Sequence, residues 1–204
     1  MIADRRVITA LERWARHLRI LSGLDPVTAW PPESAVRPAR SGPGGPGGEV
    51  DLWRTLADGA CPADEAVRRS GIDLAADGPL WASSDWAAIE VWTEAELCGL
   101  HGLWRAGRIA GAADPARGAR LRARLKRAVH WHLEHTQPDN ATNRPWAVHV
   151  FLLDGSDEAR LYGETLVHNA QAQGNEDPAS RWILADAAQE LSLALRSDDE
   201  AMHW

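Results

Sequence analysis

The fold of this chain is restricted most strongly by a helical pattern in its sequence. Apolar residues recur three and four positions apart, and prolines occur at regular distances along the chain. Asp114-Pro115, Asn143-Arg144-Pro145 and Asp177-Pro178 each precede a stretch of this kind, and their prolines lie about 30 residues apart. A polar residue followed by proline is typical of a helix start. No segment shows the period-two alternation of a strand. The sequence therefore predicts an all-α protein of consecutive antiparallel helix hairpins, arranged as an α/α solenoid or partial toroid.

The same signals place the helix ends and divide the chain into three parts. We expect an N-terminal amphipathic helix within residues 1–23, a mobile Pro/Gly-rich linker at 24–48 and a helical-hairpin domain at 49–204. Thr93 and Glu96 have the spacing of a capping box, which indicates a bend or restart in a helix that begins near Ser83. The predicted helices are 4–22, 52–56, 62–71, one from 83 onward, 114–135, 143–154, 156–174 and 177–196.

Composition excludes several classes of protein. The formal net charge of −7 argues against a dedicated nucleic-acid binder, which usually carries a basic surplus. The two cysteines, Cys61 and Cys98, cannot form the disulfide framework of a small secreted domain. The longest apolar stretch is under ten residues, far short of a membrane span, and the first residues resemble no signal peptide. We therefore expect a cytoplasmic protein, and its eleven tryptophans predict a Trp-rich core.

Two arginine-rich helix faces stand out against this acidic background. The first lies on the N-terminal helix and the second on the helix from Pro115. Each is either a solvated face or a contact for an anionic partner, and for the second face that partner would be RNA or an acidic protein. The arginines concerned are Arg5, Arg6, Arg13, Arg16 and Arg19 in the first helix, and Arg117, Arg120, Arg124 and Arg127 in the second.

Histidines extend one apolar face of the helix from Pro115. Leu121, Leu125 and Ala128 follow helical spacing, and the same steps lead to His132 and His135 in the last turn. These two histidines should therefore face the interior, as should His149 in the apolar helix that follows. Because the connection is short, that helix should run antiparallel and begin beside them.

If neighbouring hairpins stack in parallel, the polar residues at their ends form a single rim, our candidate site. Three interpretations stay open: buried polar residues that tie loops together, a ligand or substrate pocket, and, less favoured, a metal site. No metal-binding motif supports the last, and no cofactor is indicated. The predicted rim consists of His132, His135, Asn143, Arg144, Trp146, His149, His168 and Asn169.

Residues 93–196 resemble the inner helices of α/α-toroid proteins of the terpenoid-cyclase and prenyltransferase group. The resemblance lies in the Asn143-Arg144-Pro145-Trp146 helix start and in Asp177-Pro178 followed by Trp182. It implies a toroid-like fold, whereas the aspartate-rich motif and the Gln/Trp repeat of the cyclases are missing. The sequence thus favours a helical-repeat module that binds a protein or a small ligand. The alternative is a toroid-type enzyme or ligand-binding protein that uses the rim.

Overall fold

The computed structural model describes residues 5–24, 52–53, 56, 62–86, 88–137, 144–172 and 177–196. These residues contain no strand, so the predicted all-α class is confirmed. Residues 25–48 of the predicted linker lie outside this described part. The α helices whose bounds fall within this described part are α1 (Arg5–Ser22), α2 (Ala63–Arg69), α3 (Ile89–Ala113), α4 (Pro115–His135), α5 (Val148–Asp154), α6 (Asp157–Ala172) and α7 (Pro178–Ala194).

The contacts divide the chain into two compact units. One unit contains residues 37–137, and the other combines residues 1–36 with residues 138–204. α1 therefore belongs with α5, α6 and α7, although the sequence analysis set residues 1–23 apart and treated 49–204 as one domain. None of the helices in the described part is long and apolar enough to cross a membrane.

Helices α3 and α4 form an antiparallel pair around which their unit is built. Asp114 connects them and caps α4, its Oδ1 accepting the backbone N–H groups of Ala116 and Arg117. The helices approach closely next to this turn. A Cβ on Gly118 would lie 2.9 Å from the backbone nitrogen of Gly111. Glycine therefore lets the two backbones touch where the hairpin turns.

Two predicted helix starts are displaced in the structure. Residues Ser83–Asp85 form a short 3-10 turn, and α3 begins only at Ile89. α5 begins at Val148, three residues after Pro145, because Ala147 adopts a left-handed conformation with φ of 58°. Helical backbone cannot pass through such a residue. The predicted ends near Gly23, Gly71 and Gly155 are confirmed by positive φ angles at these glycines.

Helix α1 packs along α7. Arg181 of α7 donates from Nε to the Ser22 carbonyl at 2.8 Å, and Arg19 donates to the Ser192 hydroxyl at 3.3 Å. Val7, Leu11 and Leu18 have the spacing of one apolar stripe, which predicts that all three are buried. This prediction is confirmed for Leu11 and Leu18 and is wrong in the first turn of the helix. The buried residues of the helix are Leu11, Ala15, Leu18 and Ser22, whereas Val7 is 50% exposed.

Candidate functional site

A buried carboxylate at the centre of the α3–α4 unit holds a loop and a helix together. Glu96 of α3 has no exposed surface. Its Oε2 accepts the Leu80 N–H at 2.8 Å and its Oε1 accepts the Trp81 N–H at 2.5 Å. His132 of α4 places Nε2 3.1 Å from Oε2. Both carboxylate oxygens thus have close partners, as a fully buried carboxylate requires.

His132 lies between Thr136 and Glu96, with one ring nitrogen directed at each. The Thr136 hydroxyl donates to the His132 carbonyl at 2.9 Å, so its oxygen accepts from the His132 Nδ1–H at 3.1 Å. With Nδ1 protonated, the contact between Nε2 and Glu96 needs one further proton, carried by one of the two partners. The predicted burial of His132 is confirmed, since it has no exposed surface. In this unit the histidine joins α4 to α3 and, through Glu96, to the loop.

Arg124 and Arg127 of α4 hold the same loop, residues 72–81, by its carbonyl groups; we call this segment the clamped loop. The sequence analysis placed both residues on an exposed basic face that is either solvated or contacts an anionic partner. For Arg124 this is wrong: its side chain is fully buried, and burial lowers the pKa of its guanidinium. Arg124 donates to the carbonyls of Asp73, Gly78 and Pro79 at 2.7–2.9 Å. Arg127 donates to the carbonyls of Leu74 and Ala76 and pairs with the Asp77 carboxylate at 2.9 Å.

His135 does not extend the buried face as predicted. Its side chain is half-exposed and stacks on Trp131, with ring centroids 4.7 Å apart and an interplanar angle of 7°. One turn earlier, His132 lies between Trp131 and Trp92, at centroid distances of 5.2 and 6.0 Å. The last turn of α4 therefore leaves the core at Trp131, and the face predicted to be apolar ends at His132.

Four of the remaining rim residues lie buried or half-buried in the second unit. Arg144 is paired with Asp177, the cap of α7, with Nε 3.0 Å from Oδ2. Trp146 and Asn169 are buried, and His149 has no exposed surface, which confirms its predicted burial. Arg144 thus ties the turn before α5 to the start of α7.

His168 lies on the exposed side of α6. Helical spacing places His168 on one face with Leu161, Thr165 and Ala172, which predicts a second buried face like that of α4. The prediction that this face is buried is wrong, because Leu161 is 62% exposed and His168 and Ala172 are exposed as well. α6 instead buries the opposite side, on which Phe151 stacks against Tyr162 with centroids 4.2 Å apart.

The rim as a whole stays a prediction. Its two α4 histidines belong to one unit and its other described members to the second. Asn143 lies outside the described residues. Within the described part of the chain, no group of three or more His, Cys, Asp or Glu side chains could hold a metal ion.

A groove on the outer side of α1 is a second candidate site. It lies between α1 and α6 and has a volume of about 350 Å³. Trp14 lies beside His17 in an edge-to-face arrangement, with ring centroids 5.6 Å apart. The groove is lined by Ala10, Arg13, Trp14, His17, Arg160 and Glu164.

The charged side chains of this groove differ in their pairing. Arg160 of α6 binds Glu164 at 2.7 Å and approaches Asp157 at 3.5 Å, and these carboxylates raise the pKa of Arg160 above its ordinary value. Arg13, in contrast, has neither an ion pair nor a side-chain hydrogen bond with any residue that the structure describes. The cation that α1 contributes to the groove is therefore available to a partner.

The sequence analysis missed that Glu96 and Arg124 are buried, although the position of each on its helix indicates it. Glu96 is four residues from Leu100 and seven from Leu103, so it lies on the apolar face of α3. Arg124 lies three residues after Leu121 and four before Ala128 on the apolar face of α4. An ionisable residue in such a position needs a buried partner. The capping-box interpretation of Glu96 is wrong, because its carboxylate binds the clamped loop rather than a helix start.

Comparison with known proteins leaves the function to be argued from these residues. No family model, no curated protein and no solved structure matches the chain.

Proposed function

We propose that the protein is a helical binding module and that its first helix contacts an acidic segment of a partner protein. The observation that carries this proposal is the charge of α1. This helix has five arginines and one glutamate, a formal charge of +4, in a chain whose formal net charge is −7. Arg5, Arg13 and Arg16 are exposed and form no ion pair with any residue in the described ranges. A dense basic face on which three arginines have no ion pair among the described residues favours an anionic partner.

The distribution of charge favours a short acidic protein segment over nucleic acid. With +4 on α1 and −7 in total, the other residues carry −11. A long polyanion would extend from α1 over this acidic remainder and be repelled. A short segment stays within about 8 Å of the arginines, the distance over which charges act at physiological ionic strength. The surplus of negative charge would therefore select for a short partner segment.

Burial and pairing within the rim support binding over catalysis. His132 and His149 have no exposed surface, and Arg144 is engaged by Asp177. A toroid-type enzyme or ligand-binding protein that uses the rim, our alternative, needs these side chains to reach a ligand. The solenoid or partial-toroid arrangement of the hairpins, their resemblance to toroid proteins and a cytoplasmic location are parts of the same proposal.

Charge reversal on α1 tests the proposal. We expect a fluorescein-labelled poly-glutamate peptide to bind the full chain, measured by fluorescence anisotropy. The double variant Arg13→Glu/Arg16→Glu should weaken binding by about tenfold or more, because it reverses two charges at the contact. Higher salt should weaken binding to the unmodified protein as well.

A matched control separates a specific face from general attraction. Arg117 and Arg120 are exposed, have the same spacing and lie in the first turns of α4. We expect Arg117→Glu/Arg120→Glu to bind the peptide nearly as well as the unmodified protein. Equal weakening by both double variants, or no binding by the unmodified protein, would contradict the proposal.

A further inference from the structure

We propose that the α1 groove takes an extended acidic segment that ends in an aromatic side chain. The carboxylates would lie over Arg5 and Arg13, and the ring would pack against Trp14 and His17, in the space beside Ala10. This inference rests on the proposed function and adds the size and the chemistry of the partner segment. It follows from the length of the groove, the charge at one end and the aromatic side chains at the other.

The groove continues along α1 towards its N-terminus. A second hollow, of about 310 Å³, adjoins the first. Ala10 and Arg13 line both, so the two hollows adjoin along α1, and we call them together the channel. The second hollow is lined by Arg5, Arg6, Thr9, Ala10 and Arg13. Each volume lies near the lower end of the range for ligand pockets, about 300–1,000 Å³.

The length of the channel sets the size of the ligand. Arg5 and His17 are separated by twelve residues of helix, which span about 18 Å. An extended peptide covers this distance with about five or six residues. A helical ligand would need about twelve residues for the same distance and would be far wider than a single chain. The channel therefore suits a short extended segment.

The chemistry changes from one end of the channel to the other. Arg5 and Arg13, towards the N-terminal end, carry positive charge without a carboxylate partner among the described residues. At the other end Arg160 is already engaged by Glu164 and Asp157. The groove there offers the half-buried Trp14 and the exposed His17 in edge-to-face contact, with the small Ala10 leaving room beside them. An aromatic side chain packs favourably against such rings.

Peptides of defined sequence test this arrangement. We would compare, by anisotropy, a labelled six-residue peptide of five Glu and a terminal Phe with one in which Gly replaces the Phe. A single-stranded oligonucleotide with the same number of charges is the third probe. We expect the peptide with Phe to bind at least fivefold tighter than the peptide with Gly, and the oligonucleotide to bind more weakly than either.

Substitutions within the channel test where the aromatic side chain of the peptide binds. Trp14→Ala should remove the preference for Phe while leaving the affinity for the Gly peptide nearly unchanged. Because Trp14 is half-buried and its removal also changes the packing of α1, Ala10→Phe is the second variant. Ala10 is exposed, so the new ring would fill the groove without disturbing the core. This variant should therefore lose the preference for Phe. Ile20→Phe, at a position that is 70% exposed, is the matched control and should retain the preference.

The outcomes separate this inference from the function on which it rests. If both peptides bind equally and Arg13→Glu/Arg16→Glu weakens both, the aromatic end is wrong and the acidic partner stands. If neither peptide binds, both proposals fail. Tighter binding of the oligonucleotide would overturn the choice of a protein partner.

Discussion

Replacing Glu96 by alanine should lower the free energy of unfolding by about 3–5 kcal/mol, the range for removing one partner of a buried ionic contact. The carboxylate accepts two backbone N–H groups of the clamped loop and contacts His132. Its removal leaves all three groups buried without their hydrogen-bond partner and opens a cavity between α3 and the loop. The unpaired groups and the cavity both destabilise the folded state and not the unfolded chain, so both lower the free energy of unfolding.

Guanidinium unfolding followed by circular dichroism at 222 nm measures this effect. Glu90→Ala is the matched control, because Glu90 lies on the same helix and is exposed. We expect the control to change the free energy of unfolding by less than about 0.5 kcal/mol. A Glu96 variant as stable as the control would show that the loop does not depend on this carboxylate.

Replacing Arg124 by methionine should lower the free energy of unfolding by about 3 kcal/mol or more. Methionine keeps much of the apolar stem but leaves the carbonyls of three loop residues without their donors. Each charge-assisted hydrogen bond contributes about 1.5–3 kcal/mol, and water entering the opened loop recovers part of the loss. Arg124→Lys should be nearly as damaging, because an ammonium group cannot reproduce the planar fork that reaches three acceptors.

The same unfolding measurement tests the arginine, with Arg120→Met as control. Arg120 lies one turn before Arg124 on α4 and is exposed. The same change of residue type at an exposed position should alter stability by less than about 0.5 kcal/mol. Backbone amide exchange adds a local readout. Residues 78–82 should exchange faster in Arg124→Met than in the unmodified protein, and at the same rate as the unmodified protein in Arg120→Met. Equal effects of the two substitutions would contradict the buried role of Arg124.

The helical class and most helix ends could be predicted from sequence because they depend on local chemistry. Asp114 and Asp177 cap the helices that their following prolines begin, and the predicted glycine stops have positive φ. The start of α5 could not be predicted in this way. Its position depends on the left-handed conformation of Ala147, a non-glycine residue at which local preference would favour continuing the helix.

The candidate site was less predictable because it depends on contacts distant in sequence. Helical spacing correctly placed His132 in the interior, whereas it could not show that the clamped loop supplies the partners of Glu96 and Arg124. For α6, spacing defined a face through His168 but not which face meets the core, because Leu161 is apolar and yet exposed. The basic face of α1 was visible in the sequence, while its groove requires α6 beside it.

Hydrogen–deuterium exchange of the full chain, with and without the five-Glu, one-Phe peptide, tests the central claim most directly. If α1 is the binding face, the peptide should slow exchange in residues 5–24 and, more weakly, in residues 157–172, which line the groove from the side of α6. Exchange in α3, α4 and the clamped loop should not change. Protection that appears in residues 115–135 and is missing from residues 5–24 would contradict the assignment of the binding face to the first helix.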